Sequence, residues 1–267
     1  MADPDFDRIF AATGAKDTIT DVVYDEGWEP IALANPPTKA QFNSLQNESD
    51  LKSKYLYDRL AARDNLLING DKLINQRGFA GGQPAAGVYG FDRWKGDALS
   101  TRIEQVVENT ETLSGLYTIS WVGGTGTADV DGTTGLSSGD SVTMTATGNY
   151  SVIVPTDATK IKFEQGSVAT PYQPRPIAEE KALCQRYYQV KNTYFTFRVE
   201  ANVTLRWTTD FMTQMRTAPS TTLNMVNDAG GATSVGNVRE DAVELQFTTG
   251  GSGTFTKRGT ATLDSEL

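Results

Sequence analysis

The sequence predicts a mainly β fold. The chain has 25 glycines, with abundant Thr, Ser, Val and Asn, the composition of sheets joined by many turns. After Leu67 the text breaks into short alternating runs, among them GVYGFDRWKGD, SGLYTISWVGG and YSVIVPTDA. Turn signals separate them at intervals of about eight to twelve residues, the spacing of a β-sandwich rather than of βαβ units. Period-two alternation is clear in Tyr117, Ile119 and Trp121, and again in Val142, Met144 and Ala146, with an apolar face opposite a hydroxylated one.

The elements follow in order. Residues 1–37 scatter Phe6, Ile9, Phe10, Val22, Val23, Trp28 and Ile31 among Gly and Pro, too few for an independent core. Neighbouring subunits or a larger assembly must therefore bury Phe10 and Trp28. Residues 38–66 follow Pro-Pro, open at a Thr N-cap and run without Gly or Pro, as one long helix does. Phe42, Leu45 and Leu56 fall on a 3-4 spacing, but a helix this polar does not persist alone. It is either a short coiled coil with its own copies or a surface helix lying across one domain. A jelly-roll-like sandwich is expected at 67–175. A connecting helix at 176–191 is signalled by Pro176, by Glu179 and Glu180 near its positive end, and by Leu183, Tyr187 and Val190 on one face. Runs such as TYFTFRVE, ANVTLRWT and AVELQFTT then make a second β domain at 192–267.

Composition excludes several classes of function. A net charge of −9 opposes the basic stripe that phosphate neutralisation requires, so neither nucleic acid nor an anionic membrane surface is expected as a partner. The apolar runs are far shorter than the roughly 20 residues that span a bilayer, and no secretion signal is visible at MADPDFDRIF. With no histidine, zinc sites of the usual kind and Ser-His-Asp or Cys-His catalysis are ruled out. Cys184 stands alone and reads as a helix filler, consistent with assembly in a reducing cytoplasm.

The remaining motifs read as structure. Asp129-Val-Asp131-Gly132 has calcium-loop spacing at its start but lacks the distal Glu, so a solvated turn is expected. Asp25-Glu26, Glu179-Glu180 and Glu240-Asp241 are adjacent in sequence, whereas glycosidase pairs face each other across about 5–10 Å. Gly123-Gly124-Thr-Gly126 and Gly250-Gly251-Ser-Gly253 read as hairpin turns. Trp94 is expected in the core, with Asp92 and Arg93 pairing structurally. Of the adjacent Tyr187 and Tyr188, one should be buried and the other line a junction. Tyr194, Phe195, Phe197, Trp207 and Phe211 exceed what a small core needs, and some of them on an outer face would make a glycan platform.

Four stretches carry a family resemblance. LLINGDKLINQRGF followed by YGFDRWKG resembles the opening of a sandwich domain found in bacteriophage tail fibres. FEQGSVATPYQPRPIAEEKALCQRYYQ resembles the join to that family's C-terminal domain, and MRTAPSTTL and GTATLDSEL look like strands of it. The stretch 1–37 is similar, more loosely, to virion-attachment segments. The resemblance implies a homotrimer located in the virion and assembled in the bacterial cytoplasm. Its N-terminus would dock through Phe10 and Trp28 on a tail or baseplate protein, with Phe42, Leu45 and Leu56 in the trimer seam. A host surface glycan or protein would be met at 192–267, through loops containing Asn227, Asp228, Asn237, Thr249 and Ser252. No catalysis, cofactor or metal is implied. The alternatives are a structural baseplate, collar or decoration protein without a receptor of its own and, more remotely, a polysaccharide-cleaving tailspike, for which no β-helix repeat is present.

Overall fold

The computed structural model describes residues 43–44, 46–53, 65–99, 101–108, 114–145, 148–227 and 232–267. The chain divides into two compact units, Met1–Arg63 and Asp64–Leu267. In the first, residues 43–44 and 46–53 are helical, with Ser44 and Asn47 buried and Gln46 donating to Asp50 one turn on at 3.1 Å. Phe10, Trp28, Phe42, Leu45 and Leu56 lie outside the described residues.

The second unit is mainly β, built of antiparallel sheets. Its first half holds β1 (Lys95–Gly96), β2 (Arg102–Val107), β3 (Gly115–Val122), β4 (Ala128–Val130), β5 (Thr133–Leu136), β6 (Ser141–Met144), β7 (Tyr150–Pro155) and β8 (Thr159–Gln165). They form one sheet in the order β1-β2-β7-β4-β5 and another in the order β6-β3-β8. Alternation places Ile103, Val107, Val152 and Val154 of the first sheet in one core with Ile119, Met144 and Phe163 of the second. Tyr117 stacks on Phe163 within that core, ring centroids 5.4 Å apart. The expected apolar face of Tyr117, Ile119 and Trp121 is buried as a set, as are Val142 and Met144, while Ala146 lies outside the described residues.

The opposite face of β8 is also buried, which alternation alone does not reveal. Lys162 and Glu164 form an ion pair at 3.0 Å, and Glu164 accepts both the main-chain N–H and the hydroxyl of Thr170. Charges removed from water this far need such partners, and here they clamp the Thr170-Pro171 segment over the sheet.

The second half holds the connecting helix Ile177–Gln185, then β9 (Tyr188–Val199), β10 (Thr204–Asp210), β11 (Ser220–Asn227), β12 (Thr233–Val238), β13 (Ala242–Thr248) and β14 (Gly253–Asp264). One sheet runs β11-β14-β9 and the other β10-β13-β12. Val243 and Leu245 of β13 pack with Leu263 of β14 and Met215, flanked by Phe195, Trp207 and Leu223.

Three sequence expectations are corrected here. The connecting helix ends at Gln185 instead of reaching 191, because Tyr188 onward pairs residue for residue with β14, from Tyr188↔Asp264 to Val199↔Gly253. INGDKLINQRGF forms turns rather than a strand. The two glycine-rich segments at 123–126 and 250–253 are not hairpins. β3 and β4 lie in different sheets, as do β13 and β14, so each segment arches between sheets.

Candidate functional site

The motif residues of the first half meet the end of β14 and the connecting helix in one buried joint. Asn69 organises it from a left-handed conformation, φ 58°. Its side-chain amide donates to the carbonyls of Ile74 and Asp92, its side-chain oxygen accepts from Ile74 N–H, and its own carbonyl accepts from Trp94 Nε1 at 2.8 Å. Gly70 beside it is obligatory on space: a Cβ there would lie 2.3 Å from the carbonyl oxygen of Ile161. The Asn-Gly pair is thus a hub that closes the sandwich over Trp94, which is fully buried as expected.

Asp92 and Arg93 do not pair with each other. Asp92 accepts from the main-chain N–H and the side-chain amide of Gln76, and burial raises its carboxyl above the usual range against the pull of those hydrogen bonds. Arg93 reaches Glu266 and the carbonyl of Val106, with its guanidinium 3.5 Å from the centre of the Tyr187 ring. Arg77 repeats the arrangement, bridging Asp264 and Glu266, each at 3.2 Å, and lying 3.6 Å over Tyr188. Both tyrosines are therefore buried in the joint, whereas the sequence assigned only one to the interior. The apolar floor is Ile68, Ile74, Cys184 and Tyr187. Burial pushes the Cys184 thiol well above its ordinary value, so it is a neutral filler.

The other acidic motifs are also engaged in structure. Asp129 takes Arg102 and the Gly135 N–H, and Asp131-Gly132 forms the left-handed turn after it. Glu180 pairs with Arg175 at 3.1 Å, and Glu240 accepts from Gln214. Among the described residues no cluster of carboxylates and Cys is arranged to hold a metal ion. No described helix is long and apolar enough to cross a membrane.

The surface left for recognition is the outer face of β11-β14-β9. Along β9, Phe195 and Phe197 turn inward, and Tyr194, Thr196 and Arg198 turn outward, with Tyr194 70% exposed. Strand register sets Tyr194 and Val226 on either side of Arg258, Thr196 opposite Thr256, and Arg198 opposite Thr254. The Thr196 and Thr256 hydroxyls are 3.3 Å apart. Beneath lies an aromatic layer: Phe195 against Trp207 at 4.1 Å, and Phe247 against Phe197 and Phe255. That layer stiffens the strands from below, so the outward row is held flat.

The loop residues selected from sequence do not form one surface. Ser252 is exposed in the arch at 250–252. Thr249 is buried instead: its hydroxyl donates to the Glu200 carbonyl and accepts from Val203 N–H, pinning that arch to the connection between β9 and β10. Asn237 is exposed but belongs to β12, at a bulge between Val235 and Val238, near the opposite end of the sheets. Asn227 ends β11 opposite Lys257, and Asp228 lies outside the described residues. Sequence reasoning placed Tyr194 correctly among the surplus aromatics but missed Arg198 and Arg258. The alternation Tyr-Phe-Thr-Phe-Arg carried the signal for Arg198, and only strand pairing brings in Arg258. Compared with known proteins, the chain matches no family model, no curated protein and no solved structure.

Proposed function

We propose that the chain is a non-enzymatic bacteriophage tail-fibre subunit that attaches the virion to a host surface glycan or protein as a homotrimer. In this reading residues 1–37 dock on a tail or baseplate protein through Phe10 and Trp28. Residues 38–66 form a three-stranded coiled coil, and the first sandwich, of jelly-roll type, acts as a stiff spacer. The β9–β14 sandwich makes the host contact. The observation that carries it is the division of labour within Asp64–Leu267. The motif residues are consumed in a buried joint, while the long sheet beyond it presents a flat outer row around Tyr194. Three copies of such a row, repeated over several fibres, turn weak single contacts into durable attachment through effective concentration. The absence of histidine and the engagement of Asp129 and Glu180 by arginines support a binding role over hydrolysis.

The test is competition. Purified protein lacking residues 1–37 should bind host cells and block adsorption of intact virions. If it binds no cells and never competes, the chain is a structural decoration of the particle. Release of reducing ends from host polysaccharide, abolished by changing one carboxylate, would instead make it a tailspike enzyme.

A further inference from the structure

We propose that the outer face of β11-β14-β9 selects an acidic polysaccharide; this rests on the reading of the β9–β14 sandwich as the host-contact part. The chain carries a net charge of −9, yet this face departs from it. Its outward positions from Asn192 to Arg198, Thr222 to Val226 and Thr254 to Thr260 hold Arg198 and Arg258 and no carboxylate. The nearest acids along the strands are Asp264, which is engaged by Arg77, and Glu200, beyond the end of β9.

The geometry suits an extended chain. Arg258 shares its rung with Tyr194, and Arg198 shares its rung with Thr254, four residues away along β14. At about 3.3 Å per residue the two rungs stand roughly 13 Å apart, a span for an oligosaccharide and not a single sugar. A guanidinium presents paired N–H donors that match a carboxylate or phosphate oxygen pair. Tyr194 offers an exposed ring for the C–H face of a pyranose, and Thr196 and Thr256 between the arginines supply donors and acceptors for sugar hydroxyls.

Other occupants fit less well. Nucleic acid is repelled by the overall charge and would find a single outward aromatic. A second copy of the same face would set arginine against arginine with no carboxylate to meet it. A protein partner ordinarily requires an apolar centre, and this face is hydroxyl-rich.

The experiment immobilises polygalacturonate and, separately, neutral dextran of matched length, and measures binding of the full-length protein. Binding to polygalacturonate and not to dextran is expected. Arg198→Gln, Arg258→Gln and Tyr194→Ala should each weaken it by about tenfold, the loss of one charge-assisted or stacking contact. Arg206→Gln, on the other sheet, should leave it unchanged, and all variants should keep the parent melting temperature. Equal binding to dextran overturns the proposal, as does binding that the three variants do not change. Equally tight binding to duplex DNA, abolished by moderate salt, would mean polyelectrolyte attraction only and also overturns it. Phage carrying the variants separate the two readings. Variants that lose polygalacturonate binding but adsorb normally leave the acidic site standing and remove host contact. Variants that adsorb poorly although the parent never prefers the polyuronate do the reverse.

Discussion

The Arg93 guanidinium lies 3.5 Å over the ring of Tyr187 while its fork grips Glu266, so a residue at the mouth of the first sandwich holds the residue that opens the second and the tail of its last strand. The side chains of Arg93 and Glu266 are 1% and 4% exposed, which makes this a desolvated pair with little to be gained from water. Arg93→Ala strands the Glu266 charge beside Arg77 alone. A destabilisation of about 3–5 kcal/mol is expected, the cost of breaking a buried pair from one side. Urea denaturation should record it as a lowered midpoint of one transition for Asp64–Leu267. In combination with Glu266→Gln the two losses should be much less than additive. Additive losses, or two separated transitions, would show that the two sandwiches are not coupled through this joint.

A companion prediction concerns Asn69. Asn69→Asp preserves shape and the left-handed backbone but cannot donate to the carbonyls of Ile74 and Asp92. Two buried acceptors lose their donor and meet a charge, at a cost of about 1–3 kcal/mol for each. Thermal unfolding should fall clearly for Asn69→Asp and much less for Asn75→Asp, whose amide donates to the Phe79 carbonyl at an exposed site. A smaller effect at Asn69 than at Asn75 would remove the hub from the account.

What could be read from the chain is whatever is local. Period two located the sandwich strands, because Tyr117, Ile119 and Trp121 report their own face without reference to a partner. The end of the connecting helix could not be read, since Tyr187, Tyr188 and Val190 suit a helix face as well as a strand, and the deciding partner, Asp264, is remote in sequence. Burial of Lys162 and Glu164 was hidden for the same reason: the segment that covers them returns over the sheet at Thr170. Thr249 looked like a loop residue among glycines, and only the neighbouring arch at 200–203 turns its hydroxyl inward. The outer row was half legible, through Tyr194 in its alternating strand, and completed by a strand pairing that no local pattern encodes.

Alkaline stability follows from groups buried in their neutral form. Burial raises the Cys184 thiol and the Tyr89 and Tyr172 hydroxyls, with nearby carboxylates adding to each. A pKa raised on folding gives stability that is complete below the unfolded value and is lost as pH rises towards the folded one. Loss should therefore begin near pH ~8.5, where an unfolded thiol ionises, and steepen from about pH 10 as the tyrosines follow. Urea midpoints measured across this range should fall, and Cys184→Ala should remove the first part of the decline. Rapid reaction of Cys184 with a thiol reagent in the folded protein would contradict its burial.

Assembly is predicted to depend on the helix at 38–66. Leu45→Asp and Leu56→Asp should shift light-scattering mass from trimer towards monomer, since a charge at a seam position is desolvated three times over in the assembled coil. Ser53, which is exposed and off the proposed seam, should accept Asp without loss of trimer. A parent protein that is monomeric at micromolar concentration would sink the trimer altogether.

Thr249 and Ser252 stand three residues apart in one arch and should behave in opposite ways. The Thr249 hydroxyl donates to the Glu200 carbonyl at 2.9 Å and accepts from Val203 N–H at 3.0 Å, so Thr249→Val, nearly equal in volume, leaves a buried donor and a buried acceptor without partners. A loss of about 1–3 kcal/mol is expected, seen as a lower melting temperature. Ser252 is exposed, and Ser252→Ala should leave folding unaffected. Adsorption then becomes interpretable. If contact runs along the outer row from Tyr194 to Arg198, Thr249→Val should impair binding only as far as it unfolds the protein, and Ser252→Ala should bind as the parent does. Should Ser252→Ala abolish adsorption with its melting temperature unchanged, the arch at 250–252 is the contact, and the outer sheet face is only its support.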